Sequence, residues 1–586
     1  MCSSDLENED DINVVIERKR NKVALPKDKI IIEDYRKKSS AVKKQIRAIK
    51  NLKDDKNNQL RRILTGISKP DNFMKNINID YYNQDLDTFQ RKAVKKAICS
   101  SSITLIQGPP GTGKTSVITE IIRQILKEER GTINKILLVS QANKAVDNVL
   151  SKIKDDITNK IVRIGEESKI EKEIYDKYSI DKCVPIWINQ VKEKSIKFID
   201  EYLSNKKINY SDMLKYIDYI DKRIDNKKTN NKFISDFEEK HKDKDFEKVI
   251  YLFRIHYEWL KNINKQNDME VNYIKNCDIV AGTCIGFKSN PIISDSLFEY
   301  VIIDEAAKAS TPELLVSLMQ CSKKIIMVGD QNQLPPQLSI EMEEIFRSDE
   351  LQQDKSFFTT LFESLDSNNK QTLIKQYRMN PVIGTMVSKL FYNNDILNGT
   401  KEEKENHNLD RFEGKNIVWI STDKIENNYE KINETKSYEN FSEACTIKEE
   451  LMQLDKEEEI KKYSIGIITP YSGQKKLLKK ELRKIRFNKI DINNIEVNSV
   501  DAFQGSEKDI IIYSIVRNNL KGEMGFTKSK ERLNVAFSRA KKLIIMVGSS
   551  NFIQNVVKED NKYLDVIKYI NTNKEKCEIR YTNIRR

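Results

Sequence analysis

A glycine-rich loop, Gly108-Pro109-Pro110-Gly111-Thr112-Gly113-Lys114-Thr115, joins an apolar run at 103–106 to a helix-prone run at 116–126. Glycines let successive backbone N–H groups turn toward one phosphate chain, and that chain then lies at a helix N-terminus, where anions are favoured. Lys114 stands where an ammonium reaches the outer phosphates of a triphosphate, and the Thr115 hydroxyl stands where magnesium is held. Strand, loop and helix in this order predict a nucleoside-triphosphate site.

At 586 residues the chain exceeds what one hydrophobic core supports, so about two to four domains are expected. Lys and Arg number 102 against 89 Asp and Glu, a formal charge of +13 that favours a polyanionic partner such as nucleic acid. The accompanying wealth of Lys, Asn and Ile is also what an AT-rich genome produces, so charge alone leaves the partner open. Eight cysteines without a CxxC pair and only three histidines, His241, His256 and His407, give no zinc module by spacing. No apolar stretch is long enough to span a membrane, and residues 1–11 are acidic and polar, unlike a signal peptide. A soluble intracellular protein is expected, cytoplasmic or, in a eukaryote, nuclear, with no membrane partner.

Residues 1–80 are charged and helix-prone and read as a stalk or linker. From there, short apolar runs at 136–139, 279–281, 300–303 and 324–328 alternate with helical patterns, which predicts a parallel, doubly wound α/β sheet over 81–185 and 276–345. Between Gly165 and Gly282 there is no glycine and Pro185 is the only proline, so 186–275 reads as a long helical insertion. Its Lys and Asp/Glu-laced polar face suits a solvated antiparallel hairpin, the favoured form, or a prong that grips a strand. Runs at 417–421, 465–469, 510–515 and 543–547 predict a second α/β domain over 346–586, with 422–440 as a surface loop.

Tyr300-Val301-Ile302-Ile303-Asp304-Glu305 is an apolar strand ending in two carboxylates, delivered to the sheet rim where the phosphate loop opens. Asp304 suits magnesium, and Glu305 suits the base that takes a proton from an attacking water. Gln333, in Gly329-Asp330-Gln331-Asn332-Gln333, is placed to sense the γ-phosphate or orient that water. Arg378 and Arg539 each offer a planar guanidinium for charge on a departing phosphoryl group.

The order of these segments resembles superfamily 1 helicases, in the branch of the nonsense-mediated-decay RNA helicase and senataxin. The resemblance runs from Leu86-Asp87-Thr88-Phe89-Gln90 through the phosphate loop, 140–148, Ala281-Gly282-Thr283, 304–307 and 329–336. It continues with 376–381, Thr469-Pro470-Tyr471, 500–509 and 532–540. It implies two RecA-like domains with a helical insertion in the first, and ATP and magnesium in the cleft between them. Gln90 would read the adenine edge, Tyr377 stack on the base and Glu507 meet the ribose, while Gln333, Arg378 and Arg539 face the γ-phosphate. A single strand of RNA or DNA would cross both domains on Ser140, Asn143, Thr283, Thr469, Pro470, Val500 and Gln504, contacts that position without reading sequence.

Two features depart from the family. Lys308 stands where relatives usually carry Gln, and the segment before Leu86 is too short for a stalk plus the small β-barrel that relatives often have. A protein partner at the N-terminal segment or the insertion is therefore open. The implied activity is 5′ to 3′ translocation and unwinding driven by ATP. Its rivals are an ATP-gated nucleic-acid clamp or remodeller with little unwinding, and a P-loop signalling ATPase acting on proteins.

Overall fold

The computed structural model describes residues 36–54, 58–71, 77–128, 136–153, 160–224, 232–241, 245–263, 266–336, 356–401, 406–558 and 561–582. Residues 1–35 of the expected stalk and the expected domain boundary at 345/346 lie outside them.

Seven parallel strands build the first sheet: β1 (Ile103–Gln107), β2 (Ile136–Ser140), β3 (Ile161–Arg163), β4 (Ile279–Thr283), β5 (Phe298–Asp304), β6 (Cys321–Gly329) and β7 (Lys370–Thr372). Their spatial order is β3-β4-β2-β5-β6-β1-β7. Successive side chains point to opposite faces. Thus Ile103, Leu105, Leu137, Val139, Val301 and Ile303 enter one core, while Ile106, Ile136, Leu138, Tyr300 and Ile302 enter the other. With helices over both faces, each strand reads as a continuous apolar run. β7 was expected in the second domain, but it pairs with β1 through Leu105–Lys370 to Gln107–Thr372, so the first sheet continues past 345.

The second sheet is also parallel, with six strands in the order Ile495–Ser499, Ile465–Thr469, Lys508–Ser514, Ala540–Val547, Ile417–Ser421, Cys577–Tyr581. Ile417 and Trp419 pack on one side of it, and Val418 and Ile420 on the other. The molecule therefore has the expected two RecA-like, doubly wound α/β domains.

Three regions differ from expectation. The described part of 1–80 is not a free stalk: Ala48, Leu60, Ile63 and Leu64 are buried in the first domain's core, with Ile49 and Leu52 against it. Positions 48, 49 and 52 share one face of the helix Arg36–Asp54, and that face is what docks. The helical region begins at Lys172, ahead of 186, and beyond it lie the helices Ile180–Asn205, Tyr210–Ile224, Lys232–Lys240 and Phe246–Asn262. They enclose their own core of Leu203, Met213, Ile217, Phe237, Val249 and Phe253, a small bundle in place of a two-helix hairpin. The first break is made by Lys207 at φ 60, a left-handed turn without a glycine to announce it. Finally, 422–440 contains a short hairpin, Lys431–Ile432 against Tyr438–Glu439, tied down where Arg517 Nε meets Glu430 at 2.9 Å. Among the described residues no helix is long and apolar enough to cross a membrane.

Parallel strands bring their C-terminal ends to one edge. Ser140 lies beside both Thr283 and Asp304, and Gln107 lies beside Gly329. The loops after β1, β5 and β6 thus open together, at the carboxyl edge where open α/β sheets bind ligands.

Candidate active site

The phosphate loop leaves β1 at Gly108 and enters the helix Lys114–Glu128. Gly111 at φ 74 and Gly113 at φ 81 take backbone conformations that side chains resist. A Cβ on Gly111 would also lie 2.7 Å from the Arg378 Cβ, so this glycine lets the second domain approach. Lys114 Nζ donates to the Gly108 carbonyl at 2.8 Å and lies 3.7 Å from Glu305 Oε1. Gln90 sits against the loop, but both ends of its carboxamide are engaged. Nε2 donates to the Thr112 carbonyl at 3.0 Å, and Oε1 accepts from Asp87 N–H at 3.0 Å in a capping box.

Asp304 ends β5, and Glu305 follows at φ 51, a left-handed backbone that costs a non-glycine residue about 1 kcal/mol or more. Burial, then the neighbouring Glu305 carboxylate, raises the pKa of Asp304. Burial acts the same way on Glu305, but Lys114, Arg539, Lys308 and Arg378 together outweigh it and lower its pKa. The Glu305 carboxylate is therefore ionised at neutral pH.

The facing wall belongs to the second domain. Arg378 Nε forms an ion pair with Glu507 Oε2 at 2.6 Å, and its Nη1 donates to the Ser538 carbonyl at 3.1 Å. Lys541 Nζ approaches the other Glu507 oxygen at 2.7 Å. Burial would raise the Glu507 carboxyl, but Arg378 and Lys541 hold it down at about 2. Arg539 is 3 % exposed and donates from Nη2 to Gln333 Oε1 at 3.2 Å, across the domain junction. Burial, then the Arg378 guanidinium, lowers the pKa of Arg539, and burial lowers that of Lys308. These buried cations line a cleft of about 520 Å³, and the negative charge of a polyphosphate would stabilise them there. The Tyr377 ring lines the same cleft, 39 % exposed, its hydroxyl donating to Asp87 at 2.8 Å.

Family models described as AAA domains match residues 85–339 and 353–551. An ATP-dependent helicase of Methanocaldococcus jannaschii is 30% identical over 559 residues, covering 88% of this chain and 75% of that protein. The chain belongs to the superfamily 1 helicases, in the branch of the nonsense-decay helicase and senataxin. The DNA polymerase alpha-associated DNA helicase A of Saccharomyces cerevisiae is 27% identical, covering 86% of this helicase and 70% of the relative. The regulator of nonsense transcripts 1 of Dictyostelium discoideum is 28% identical over 80% of it, a match that spans 31% of the longer relative. It is thus an enzyme, an ATP-using helicase.

The residues expected on the strand lie at the carboxyl edges of the helicase's sheets, but several have no free side chain. Ser140 and Thr469 are fully buried because each ends a strand whose every residue is buried, and Val500 is fully buried at the start of the helix Val500–Phe503. Asn143 accepts from Arg163 Nη2 at 2.9 Å, and Arg163 is itself paired with the buried Asp147 at 2.8 Å. Thr283 accepts from Gly286 N–H at 3.1 Å, and Gln504 lines the nucleotide cleft. Pro470 is half-buried. What these positions offer a strand is chiefly backbone.

Several cleft residues carried no assigned role in the sequence. Lys144 donates to Ser506 Oγ at 2.8 Å across the junction, and Lys308 and Lys541 line the cleft. Asp87 had a local signal, the Asp-x-x-Gln pattern of a capping box. Asp304 and Thr115 are hard oxygen donors beside the phosphate loop, and the buried Asp304 carboxylate accepts one protein hydrogen bond, from Glu305 N–H at 2.9 Å. Among the described residues no cluster of His, Cys, Asp or Glu could cage a metal by itself. That donor set fits magnesium, which keeps its waters and is shared with substrate phosphates.

Proposed function

We propose that this helicase couples ATP hydrolysis to 5′ to 3′ movement along single-stranded nucleic acid, and that the movement separates paired strands. The observation that carries this reading is the divided cleft: Lys114 and Glu305 lie on one domain, and Arg378, Glu507 and Arg539 on the other. A site split between two bodies makes hydrolysis a change in how those bodies meet.

Thr115 and Asp304 would hold a magnesium ion, which neutralises charge on the triphosphate when bound. Lys114 exchanges the Gly108 carbonyl for the outer phosphates. Tyr377 stacks on the base, and Gln90 gives up its bond to Thr112 to meet the adenine edge. Glu507 turns to the ribose, which frees Arg378 for the γ-phosphate beside Arg539. Glu305 takes a proton from the water that Gln333 orients as its oxygen attacks the γ-phosphorus, and the bond to the β-phosphate oxygen breaks. Loss of phosphate removes the charge that drew both arginines in, and the domains part.

The test is the ATPase rate against matched RNA and DNA oligonucleotides with defined overhangs, at stated salt because a basic protein's affinity shifts with ionic strength. At least one of the two polymers is expected to stimulate hydrolysis by about tenfold or more. Stimulation by neither would contradict the reading and favour a protein-directed ATPase. Stimulation without strand displacement would favour a clamp.

A further inference from the structure

Beneath the cleft a buried polar chain crosses from one domain to the other. Asp330, in the loop after β6, accepts from Gln333 Nε2 at 2.8 Å, from the Tyr392 hydroxyl at 2.6 Å and from Asn332 N–H at 3.2 Å. Tyr392 caps the second-domain helix Pro381–Phe391. Asn534, in the helix Lys530–Phe537, donates to the Tyr392 oxygen at 2.8 Å and to the Asn332 carbonyl at 2.7 Å. Asp330, Tyr392 and Asn534 are all buried.

The two ends of a carboxamide are almost alike in shape, so its partners decide which end faces where. In Gln333 the nitrogen rests on Asp330 and the oxygen on Arg539. A carboxylate only accepts, so Asp330 fixes that orientation. Burial raises the Asp330 pKa, and Lys114 with the donors from Tyr392, Gln333 and Asn332 acts against it. Each donor therefore helps keep Asp330 an acceptor. Tyr392 is the donor that belongs to the other domain, and its hydroxyl reaches Asp330 only when the domains are together.

We propose that Tyr392, backed by Asn534, is a positioning residue that reads domain closure and, through Asp330, holds the Gln333 carboxamide oxygen toward Arg539 and the attacking water. This rests on the reading of the cleft as the site of ATP hydrolysis. With the domains apart, Gln333 loses that support and hydrolysis is withheld. The device links arrival of the second domain to chemistry on the first without itself touching nucleotide.

The test uses the full chain with Tyr392→Phe, which keeps the ring and removes one hydroxyl. With a stimulating oligonucleotide, kcat is expected to fall about tenfold or more, the effect of losing one hydrogen bond to a charged group. KM for ATP and the affinity for a fluorescent ATP analogue should stay within about twofold. Asp330→Asn, which presents a donor where only an acceptor serves, should show the same split. In a Gln333→Ala background Tyr392→Phe should cost nothing more, because both act through one carboxamide. An unchanged kcat, a matching loss of nucleotide affinity, or losses that multiply in the double variant would overturn the proposal. A wild-type chain without ATPase activity would instead overturn the reading of the cleft.

Discussion

Replacing Arg539 by alanine lowers ATP turnover by about 10³- to 10⁵-fold, the range for removing an arginine that meets a transferring phosphoryl group. Its guanidinium is held in place before substrate arrives, by the Val535 carbonyl at 3.0 Å, Ser538 Oγ at 3.1 Å and Gln333 Oε1 at 3.2 Å. Little reorganisation is then needed when charge spreads over the γ-phosphate oxygens, and a fixed charge as buried as Arg539 acts strongly. Nucleotide affinity should change far less, because Lys114 and the phosphate loop on the other domain bind the ground state. Arg539→Lys keeps the charge but loses the planar fork, and it should recover only a small part of the rate. Steady-state turnover beside a fluorescent-nucleotide titration checks this. Turnover within about tenfold of wild type would remove Arg539 from the chemistry.

Glu305→Gln lowers turnover by about 10²- to 10⁴-fold, the usual worth of a positioned general base. The change keeps side-chain shape and removes the ability to take a proton. Lys114, Arg539, Lys308 and Arg378 hold this carboxylate ionised despite its burial, so its charge is present at neutral pH to be lost. Removing a negative charge beside the triphosphate should also tighten ATP binding, and the variant should trap the substrate complex. Single-turnover hydrolysis separates the two effects. A wild-type rate in Glu305→Gln would assign the base elsewhere.

The elements legible in the sequence are those whose signal is local. The phosphate loop, the strand carrying Asp304 and Glu305, and the apolar runs of both sheets are contiguous strings whose chemistry and period announce them. The closure contacts are not. Tyr392 and Asp330 are 62 residues apart, and Tyr377 and Asp87 are 290 apart, so only the fold makes them partners. Gln90 shows a different limit, since one residue serves both a helix cap and the nucleotide wall, and the cap was equally readable. The buried Ser140, Thr469 and Val500 show that a place in a motif order does not fix exposure. The break between the helices Ile180–Asn205 and Tyr210–Ile224 escaped because its left-handed residue is Lys207 in place of a glycine.

The claim that the divided cleft drives a strand-moving motor is tested most directly by ATP-dependent release of streptavidin from single strands biotinylated at one end or the other. Movement 5′ to 3′ predicts rapid release from the 3′ end, slow release from the 5′ end, and none in Glu305→Gln. Release that needs no hydrolysis, or that is equal at both ends, would contradict it.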